Sequence, residues 1–575
     1  MRARVWWVLI LAFALLQFLA GLNEIWDDAF IGLIYAKNIA RGVGPVFLPF
    51  SQTHPTPESF VEGYSNPLWI ALLAFGYLLP GSAFFWVKLF SYASAVLLAW
   101  SCYGLTRFLL AAWKSRLPGW VLWIAPLLVL FDRGVFLYAK SGLETNAFAA
   151  LVIGAVWHTS RLVRAPSRLQ LRLRETSANA GLWILVALMR PEGVLYAAAA
   201  GLFLLVTAWR VGDTAGQSWL NRFPWRTALA WGLVFGGLFS AFLVWRGLYY
   251  HDWLPNTYYT RVRSTGALRA GGAYLLDYLR EGLPPVRLAL ALAVLAWITA
   301  VLRRPLALIL TMVVCDVAFV LYVGGDFWPM FRLMQIASCL AIVLAATTLG
   351  LLACGERPAL VGKWLSAARV RAPLAVILAV ALVVIQPMTR LLFTRDLYGW
   401  HESLAERSRE FLSGRRVTPA FLLGKWIKEQ TPTDAVIGVD QSGQIPYYSE
   451  RETVDLLALN DHYLARHPLR YDYLKKRNVS LVVSVVVSTN GKRDLLYPQL
   501  LRETGFQRDF ALTHVFQGVD QHRRLQTFVI FSRQDRLRSA TWTVYPLGSG
   551  TLDTILRNGP RPILLTPELV RDLEP

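Results

Sequence analysis

Charged side chains are scarce in this chain: Asp, Glu, Lys and Arg make up 17% of its 575 residues, whereas hydrophobic residues make up 55%. A typical soluble domain carries about 25% charged residues. Low charge combined with high hydrophobicity excludes an intrinsically disordered chain. It also argues against a water-soluble globule, because too few polar side chains are available for the surface. The composition therefore predicts an α-helical polytopic membrane protein.

Cysteine is equally scarce, with four residues, the last of them at position 354. This excludes a disulfide framework or a cysteine-based metal cluster from the C-terminal third. The sequence also lacks the signatures of P-loop enzymes, dinucleotide-binding domains and HExxH metalloproteases. Its eight histidines show no metal-ligand spacing. The chemistry of these soluble enzyme classes is therefore not expected here.

Long apolar runs are abundant before residue 393, where we expect about 11 transmembrane helices. They are predicted at 5–22, 82–106, 118–131, 144–160, 178–189, 193–209, 227–248, 285–302, 305–323, 333–353 and 372–389. Arg190, Pro191 and Glu192 interrupt one long apolar stretch, which we interpret as two short helices that meet at a membrane interface. Asp316 lies near the middle of a predicted span, where it either pairs with a basic residue or marks a proton path.

The basic residues mark one side of the membrane. Lys and Arg outnumber Asp and Glu by 58 to 37, and before residue 393 most basic residues between the spans fall in alternate loops while the acids fall in the others. This positive-inside pattern predicts a cytoplasmic N-terminus, with the first loop, 23–81, on the outer side. It accounts for most of the positive charge, so no nucleic-acid partner is expected.

The composition changes at about residue 393. No later apolar run is long enough to span a membrane. Strand-like runs at 435–439, 480–487 and 527–532 alternate with helical patterns at 418–430, 469–477 and 494–504. We therefore predict a transmembrane domain, 1–392, followed by a soluble α/β domain, 393–575, on the periplasmic face.

Charged residues accompanied by Gly or Pro gather in the predicted outer loops. Asp27 and Asp28 follow the first span directly. One of these carboxylates could serve as a general base, or the pair could help to hold a divalent cation; the structural alternative is that they merely end the span. Similar sets occur at 140–145, 190–193, 252–261 and 324–332. Each set alone fits an interfacial anchor, but their coincidence on one side favours a site for a sugar phosphate.

Several motifs resemble the GT-C membrane glycosyltransferases. They are WDDAFI at 26–31, EGYSNPLW at 62–69, SGLET at 141–145, RPEG at 190–193, LPNTYY at 254–259 and GGDFWPMFR at 324–332. The likeness is closest to the branch that contains the arabinofuranosyltransferase AftB of mycobacterial cell walls. DQSGQIPYYS at 440–449 and DLLALND at 455–461 also resemble this branch. The match covers most of the chain in order.

The resemblance implies a GT-C fold and an inverting transfer from a polyprenyl-phosphate-linked sugar, with arabinofuranose as the expected sugar. The acceptor would be a glycan or a protein such as a pilin, reached on the outer face. The catalytic carboxylate of the family falls on Asp27, and Asp28 would orient the acceptor or bind a metal. A divalent cation therefore stays open as a cofactor. In a different class, a lipid or glycolipid transporter is the alternative.

The remaining site residues follow from the same motifs. Arg190, Arg261 and Arg332 are the candidates for binding the donor phosphate. The candidates for binding or orienting the substrates are Glu62, Tyr64, Asn66, Glu144, Glu192, Asn256, Tyr258 and Asp326.

Overall fold

The computed structural model describes most of the chain. The described residues are 3–20, 25–52, 54–164, 173–211, 223–261, 266–282, 285–294, 300–326, 328–354, 377–378, 418–489, 492–519, 525–536, 545–546, 552, 556 and 560–565. The predicted domain boundary at residue 393 and most of the predicted span 372–389 lie outside them.

The described part of the chain before residue 355 is helical. Its helices are α1 (Ala3–Ala20), α2 (Asp27–Ala40), α3 (Pro67–Leu78), α4 (Ala83–Leu109), α5 (Ile124–Leu130), α6 (Arg133–Ser141), α7 (Thr145–Arg164), α8 (Leu173–Met189), α9 (Gly193–Val211), α10 (Trp225–Tyr250), α11 (Asn256–Arg261), α12 (Ala267–Asp277), α13 (Pro285–Ala293), α14 (Ala300–Val323) and α15 (Gln335–Ala353). Apolar side chains from most of these helices form one continuous core.

Five of the described helices are long and apolar enough to cross a membrane. They lie at Ala83–Trp113, Gly193–Arg210, Trp225–Tyr250, Leu302–Val323 and Arg332–Ala353. The pair Val121–Leu130 and Arg133–Ser141, bent by 51°, adds a sixth if it forms one broken span. The multi-pass architecture is thus confirmed, although the predicted number of spans is only approximate.

A break at residues 190–192 separates α8 from α9, as predicted. A Cβ added to Gly193 would lie 2.4 Å from the carbonyl oxygen of Val186 in α8, so only glycine permits this close approach. The break therefore places Arg190 and Glu192 between the end of α8 and the start of α9.

Asp316 is buried within α14. Its carboxylate accepts hydrogen bonds from the hydroxyl of Tyr196 (2.5 Å) and from the backbone N–H of Ala337 (3.0 Å) in the first turn of α15. The first amides of a helix have no partner within it, so this carboxylate satisfies one of them. The partners of Asp316 are thus a phenol and an amide, and the interaction joins three helices.

Two short helices in the first loop pack against each other. α2 begins with Asp27 and Asp28, whose charges the helix dipole stabilises at an N-terminus. α3 begins with Pro67, which is well tolerated at the first helical position. The contact between α2 and α3 fixes the position of the two carboxylates relative to the membrane helices.

The residues after 417 form an α/β domain around a mixed sheet. Its helices are α16 (Pro419–Gln430), α17 (Gln444–Ser449), α18 (Tyr471–Lys476) and α19 (Thr504–Asp509), and its strands are β1 (Val436–Val439), β2 (Glu452–Asp455), β3 (Val479–Thr489), β4 (Lys492–Leu495), β5 (Phe510–Val519), β6 (Leu525–Arg533), β7 (Tyr545–Pro546) and β8 (Ile563–Leu564). The strand order is β2-β1-β3-β6-β5-β7, with β4 paired to β3 and β8 to β5. β2, β1 and β3 are parallel, and β6 runs antiparallel to both β3 and β5.

The predicted C-terminal elements are confirmed with one exception. Residues 494–504 do not form the expected helix: β4 ends at Leu495, and a 3-10 turn covers Leu500–Arg502. β4 pairs with β3 in a hairpin, where Leu495 lies opposite Val486. This pairing outweighs the local helical pattern, as tertiary context commonly does in strands.

Candidate functional site

The two C-terminal motifs lie at one edge of the sheet. β1 and β2 are parallel neighbours, and Val439 pairs with Asp455. Residues 440–449 follow the carboxyl end of β1 and residues 455–461 begin at that of β2, so both segments leave the sheet at the same edge. Both segments contact the first loop there, through the hydrogen bonds described below.

Asp27 joins the first loop to the C-terminal domain. Its carboxylate accepts hydrogen bonds from the backbone N–H of Gln444 (2.7 Å) and of Gly443 (3.1 Å), at the start of α17. Burial raises the pKa of Asp27 to about 7, although these two hydrogen bonds act to lower it. The structure thus directs Asp27 toward the C-terminal domain.

Asp28, by contrast, lines a cavity of about 100 Å³ between the membrane helices and the C-terminal domain. Six of the candidate residues meet there: Asp28, Tyr64, Asn66, Glu144, Arg190 and Arg332. The rest of the lining was not among the named candidates, although all of these residues except Gly32 and Leu73 lie within the quoted motifs: Ala29, Ile31, Gly32, Gly63, Ser65, Trp69, Leu73, Gly142, Leu143, Thr257 and Leu459. The structure therefore brings six separate motifs and one C-terminal residue around a single space.

Arg332 reaches this cavity through a constrained turn. Met330 and Phe331 adopt left-handed backbone conformations, with φ of 62° and 53°, which are costly for residues other than glycine. The Arg332 guanidinium forms an ion pair with Asp326, with Nε and Nη2 at 2.8 and 2.5 Å from Oδ2. Trp328, in the same turn, stacks on Trp26 at 4.5 Å, next to α2. The turn thus holds a buried cation beside the helix that carries Asp28.

Arg190 is held by two carboxylates. Its Nε lies 2.6 Å from Glu192, and its Nη1 lies 3.7 Å from Glu144. Glu144 also accepts a 2.7 Å hydrogen bond from the side-chain amide of Asn66. The turn at Gly142, with φ of 85°, ends α6 and leads into this carboxylate. A guanidinium has five N–H donors, so its acidic neighbours fix its orientation without using all of its binding capacity.

Six described site candidates are not in the lining of the cavity: Asp27, Glu192 and Asp326, whose contacts are given above, and Glu62, Asn256 and Tyr258. Glu62 forms an ion pair with Arg246, with Oε1 and Nη2 3.0 Å apart. The amide Nδ2 of Asn256 lies within 3.1 Å of three backbone carbonyl oxygens in the C-terminal domain. The hydroxyl of Tyr258 faces that of Tyr322 at 3.2 Å. Arg261 ends α11, and its side chain lies outside the part of the chain that the structure describes.

A second cavity, of about 340 Å³, lies between α12, α13, α14 and α15. Its walls are almost entirely apolar and include Leu275, Leu288, Val313, Met334, Ala337 and Ala341. Met334 and Ala337 follow Arg332 by two and five residues, so the backbone leads from the Arg332 turn directly into a wall of this cavity. An apolar space of this size suits a lipid chain.

The described residues contain no group of three or more His, Cys, Asp and Glu side chains arranged to hold a metal ion. Both carboxylate oxygens of Asp27 accept hydrogen bonds from backbone amides. A divalent cation held by Asp27 and Asp28 stays a prediction.

Comparison with known proteins identifies the fold. A family model described as a domain of unknown function, DUF8728, matches residues 410–545, and no curated protein matches the chain. ArnT from Cupriavidus metallidurans, solved with bound undecaprenyl phosphate, superposes with a TM-score of 0.50 at 16% identity, over 92% of this chain and 98% of ArnT.

Two other solved structures are similar at lower scores. The Archaeoglobus fulgidus oligosaccharyltransferase tethered to an acceptor peptide gives a TM-score of 0.47 at 13% identity, over 88% of this chain and 72% of that protein. The arabinofuranosyltransferase AftD from Mycobacteria gives 0.45 at 14% identity, over 96% of this chain and 42% of AftD. The similarity to ArnT shows that the chain has a GT-C-like fold, as the sequence resemblance implied.

Proposed function

We propose that this protein is a membrane glycosyltransferase that moves a sugar from a polyprenyl-phosphate donor to an acceptor hydroxyl on the outer face of a bacterial inner membrane. The observation that carries the proposal is the shared cavity, which places the carboxylate of Asp28 with the guanidinium groups of Arg190 and Arg332. Such a set combines a proton acceptor with cations for a leaving phosphate. The GT-C-like fold is consistent with this chemistry.

The donor enters from the membrane side in this proposal. Its polyprenyl chain occupies the apolar cavity beside Met334 and Ala337, and its phosphate lies against Arg332 and Arg190. The ArnT structure, which has the same fold, contains undecaprenyl phosphate. Arginine is suited to this role because its planar donors match phosphate oxygens and keep their charge at any physiological pH.

Asp28 is the proposed general base. The family resemblance puts the base on Asp27, whose carboxylate faces the amides of Gly443 and Gln444, whereas it is Asp28 that lines the cavity. Asp28 accepts the proton of the acceptor hydroxyl as its oxygen attacks the anomeric carbon. The bond from that carbon to the phosphate oxygen breaks, and polyprenyl phosphate leaves with its charge stabilised by Arg332 and Arg190. A single displacement inverts the anomeric centre, as in inverting glycosidases.

The proposal also specifies a sugar and a class of acceptor. Arabinofuranose is the first sugar to test, because the motifs at 26–31, 440–449 and 455–461 resemble the AftB branch. The acceptor is a glycan or a protein such as a pilin. The first loop and the C-terminal domain cover the cavity and select between such acceptors.

A transfer assay on purified protein in detergent tests the proposal. The assay offers polyprenyl-phosphoryl and polyprenyl-pyrophosphoryl sugars, including the arabinofuranosyl phosphate, with oligosaccharide and peptide acceptors. Transfer from the arabinofuranosyl phosphate supports the full proposal. Transfer from another monophosphate donor supports the proposal of a glycosyltransferase but contradicts arabinofuranose as its sugar. The absence of transfer from every donor by folded protein contradicts it.

A further inference from the structure

The C-terminal domain contributes one residue to the wall of the catalytic cavity. Among the described residues that line this cavity, Leu459 is the one that belongs to the C-terminal domain. It lies in the segment 455–461, at the carboxyl end of β2, and its side chain is half-buried. The neighbouring Leu457 is 40% exposed and does not line the cavity. Of the three leucines in this segment, Leu459 is thus the one in the described lining of the cavity.

Side chains from inside the C-terminal domain fix the shape of this segment. Both oxygens of Asp455 accept hydrogen bonds from it: Oδ1 from the N–H of Leu457 at 2.9 Å, and Oδ2 from the N–H of Asn460 at 2.8 Å. Ala458 has a φ of 66°, a left-handed conformation that is unfavourable for alanine. A strained residue persists only where its surroundings hold it. The position of Leu459 is therefore determined by the fold of the C-terminal domain.

Residues of the membrane domain hold the same segment from the other side. Asn256 Nδ2 lies 2.7 Å from the carbonyl oxygen of Ala458 and 3.0 Å from that of Leu459. The hydroxyl of Tyr35 lies 3.1 Å from Oδ1 of Asn460. A Cβ added to Gly63 would lie 1.9 Å from that oxygen, so the segment and the first loop are in direct contact. Two parts of the chain thus cooperate to place one apolar side chain at the cavity.

The location of Leu459 indicates which substrate it contacts. Arg332 and the apolar cavity define the donor side, which faces the membrane helices. Leu459 comes from the soluble domain, so it borders the side open to an acceptor. The charged lining residues, Asp28, Glu144, Arg190 and Arg332, include the proposed base and the proposed phosphate-binding arginines. Among the other lining residues, Tyr64 offers an aromatic ring, and Ser65 and Thr257 offer hydroxyl groups. This combination suits the hydroxyl groups and the C–H face of a sugar better than a charged peptide.

We infer that Leu459 is a specificity-determining residue of the acceptor subsite and that the acceptor which it contacts is a saccharide. This inference rests on the proposed function. A rigidly held apolar wall selects by shape, and each methylene in such a pocket changes discrimination by roughly 10- to 200-fold. Truncation of Leu459 enlarges the subsite, and a larger side chain fills it. Both changes act on the acceptor and leave the use of the donor unaffected.

The test compares Leu459→Ala and Leu459→Trp with the matched controls Leu457→Ala and Leu457→Trp. The probes are an arabinofuranosyl oligosaccharide and a serine-containing peptide, each offered with the donor that the wild type uses. We expect both Leu459 variants to raise the acceptor KM for the oligosaccharide at least about tenfold with an unchanged donor KM. The Leu457 variants should match the wild type. Equal effects at 457 and 459, equal changes in donor and acceptor KM, or transfer to the peptide alone would overturn the inference.

Binding of the same oligosaccharide, measured by calorimetry, separates this inference from the proposed function. If the wild type transfers no sugar, the proposed function fails and binding decides the inference by itself. Weaker binding to folded Leu459 variants than to Leu457 variants supports it. Equal binding to both sets, or no binding to the wild type, overturns it. Thermal unfolding of each variant shows whether the Leu459 variants are folded, and the milder Leu459→Val replaces any that is not.

Discussion

Asp27 in the first loop and Gln444 in the C-terminal domain are joined by a hydrogen bond of 2.7 Å, although 417 positions separate them in the sequence. The carboxylate accepts this bond at the start of α17, together with a second one from Gly443. The residue that the family resemblance marks as catalytic thus connects the two parts of the chain. Its neighbour Asp28 lines the cavity, so the two adjacent carboxylates face different parts of the protein.

The buried carboxyl of Asp27 predicts a specific pH dependence of stability. Its pKa rises from 3.8 to about 7 in the folded protein, chiefly because of burial. The folded state therefore keeps a proton that the unfolded state releases above about pH 4. Stability contributed by this proton is fully present below about pH 4, falls as the pH rises toward 7, and changes little beyond that.

The variant Asp27→Asn should remove this part of the pH dependence, because its amide does not titrate. Thermal unfolding midpoints of wild type and variant, measured from pH 4.5 to pH 8, provide the test. The difference between the two curves isolates Asp27 from other buried carboxyls such as Asp440, whose pKa burial also raises to about 7. We expect the wild-type midpoint to fall relative to that of the variant as the pH rises. Parallel curves would contradict the assignment.

Gly63 should be intolerant of substitution. In Gly63→Ala the new Cβ would lie 1.9 Å from Oδ1 of Asn460 and 2.9 Å from the carbonyl oxygen of Leu459. The first loop and the segment 455–461 must then separate, which opens the cavity. We expect a loss of transfer of about tenfold or more, since small displacements of positioned groups are costly to catalysis.

The matched control for this substitution is Gly119→Ala, because an added Cβ at Gly119 meets nothing within 4 Å. Hydrogen–deuterium exchange of residues 455–461 would report the separation directly. Faster exchange in Gly63→Ala than in Gly119→Ala is the expected result. Unchanged exchange and unchanged transfer in Gly63→Ala would show that this contact does not hold the segment.

Arg332 should affect the donor more than the acceptor. Arg332→Ala removes a cation whose neighbour Met334 borders the apolar cavity. Hydrogen bonds to charged groups contribute about 1.5–3 kcal/mol, which corresponds to roughly a 10- to 150-fold rise in the donor KM. Steady-state kinetics with each substrate varied in turn measures the effect.

Lys428→Ala provides a charge-removal control, since Lys428 pairs with Glu450 at a partly exposed site in the C-terminal domain. This variant should behave as the wild type, as expected for a surface ion pair. A rise confined to the acceptor KM in Arg332→Ala would show that the phosphate lies elsewhere.

Much of the fold could be predicted from the sequence, because a membrane span requires a continuous apolar run and places charged residues at its ends. The break at Arg190 and Pro191 was predictable from an ion pair that a single span could not hold. The helix predicted at 494–504 was not correct, because the pairing of β4 with β3 is a tertiary interaction that a local pattern does not encode.

The cavity was predictable only in part. Motifs indicated Asp28, Arg190 and Arg332, and the structure places all three in one lining. The resemblance put the catalytic carboxylate on Asp27, whereas Asp28 lines the cavity, because successive residues of a helix point about 100° apart and the facing partner decides which one meets the cavity. The position of Leu459 at the cavity could not be predicted from the sequence either. It depends on tertiary contacts of Asp455 and Asn256, which hold its segment in place.

In the proposed mechanism, Asp28 takes the proton of the acceptor hydroxyl during glycosyl transfer. The most direct measurement is the transfer rate of Asp28→Asn beside Asp27→Asn, in purified protein with saturating donor. Removal of a general base costs about 100- to 10,000-fold in rate, so Asp28→Asn should lose that factor while it still binds donor. Asp27→Asn should retain more activity, since it weakens the contacts with Gly443 and Gln444 and leaves the proposed base in place. A near-normal rate in Asp28→Asn, or a larger loss in Asp27→Asn than in Asp28→Asn, would contradict the account.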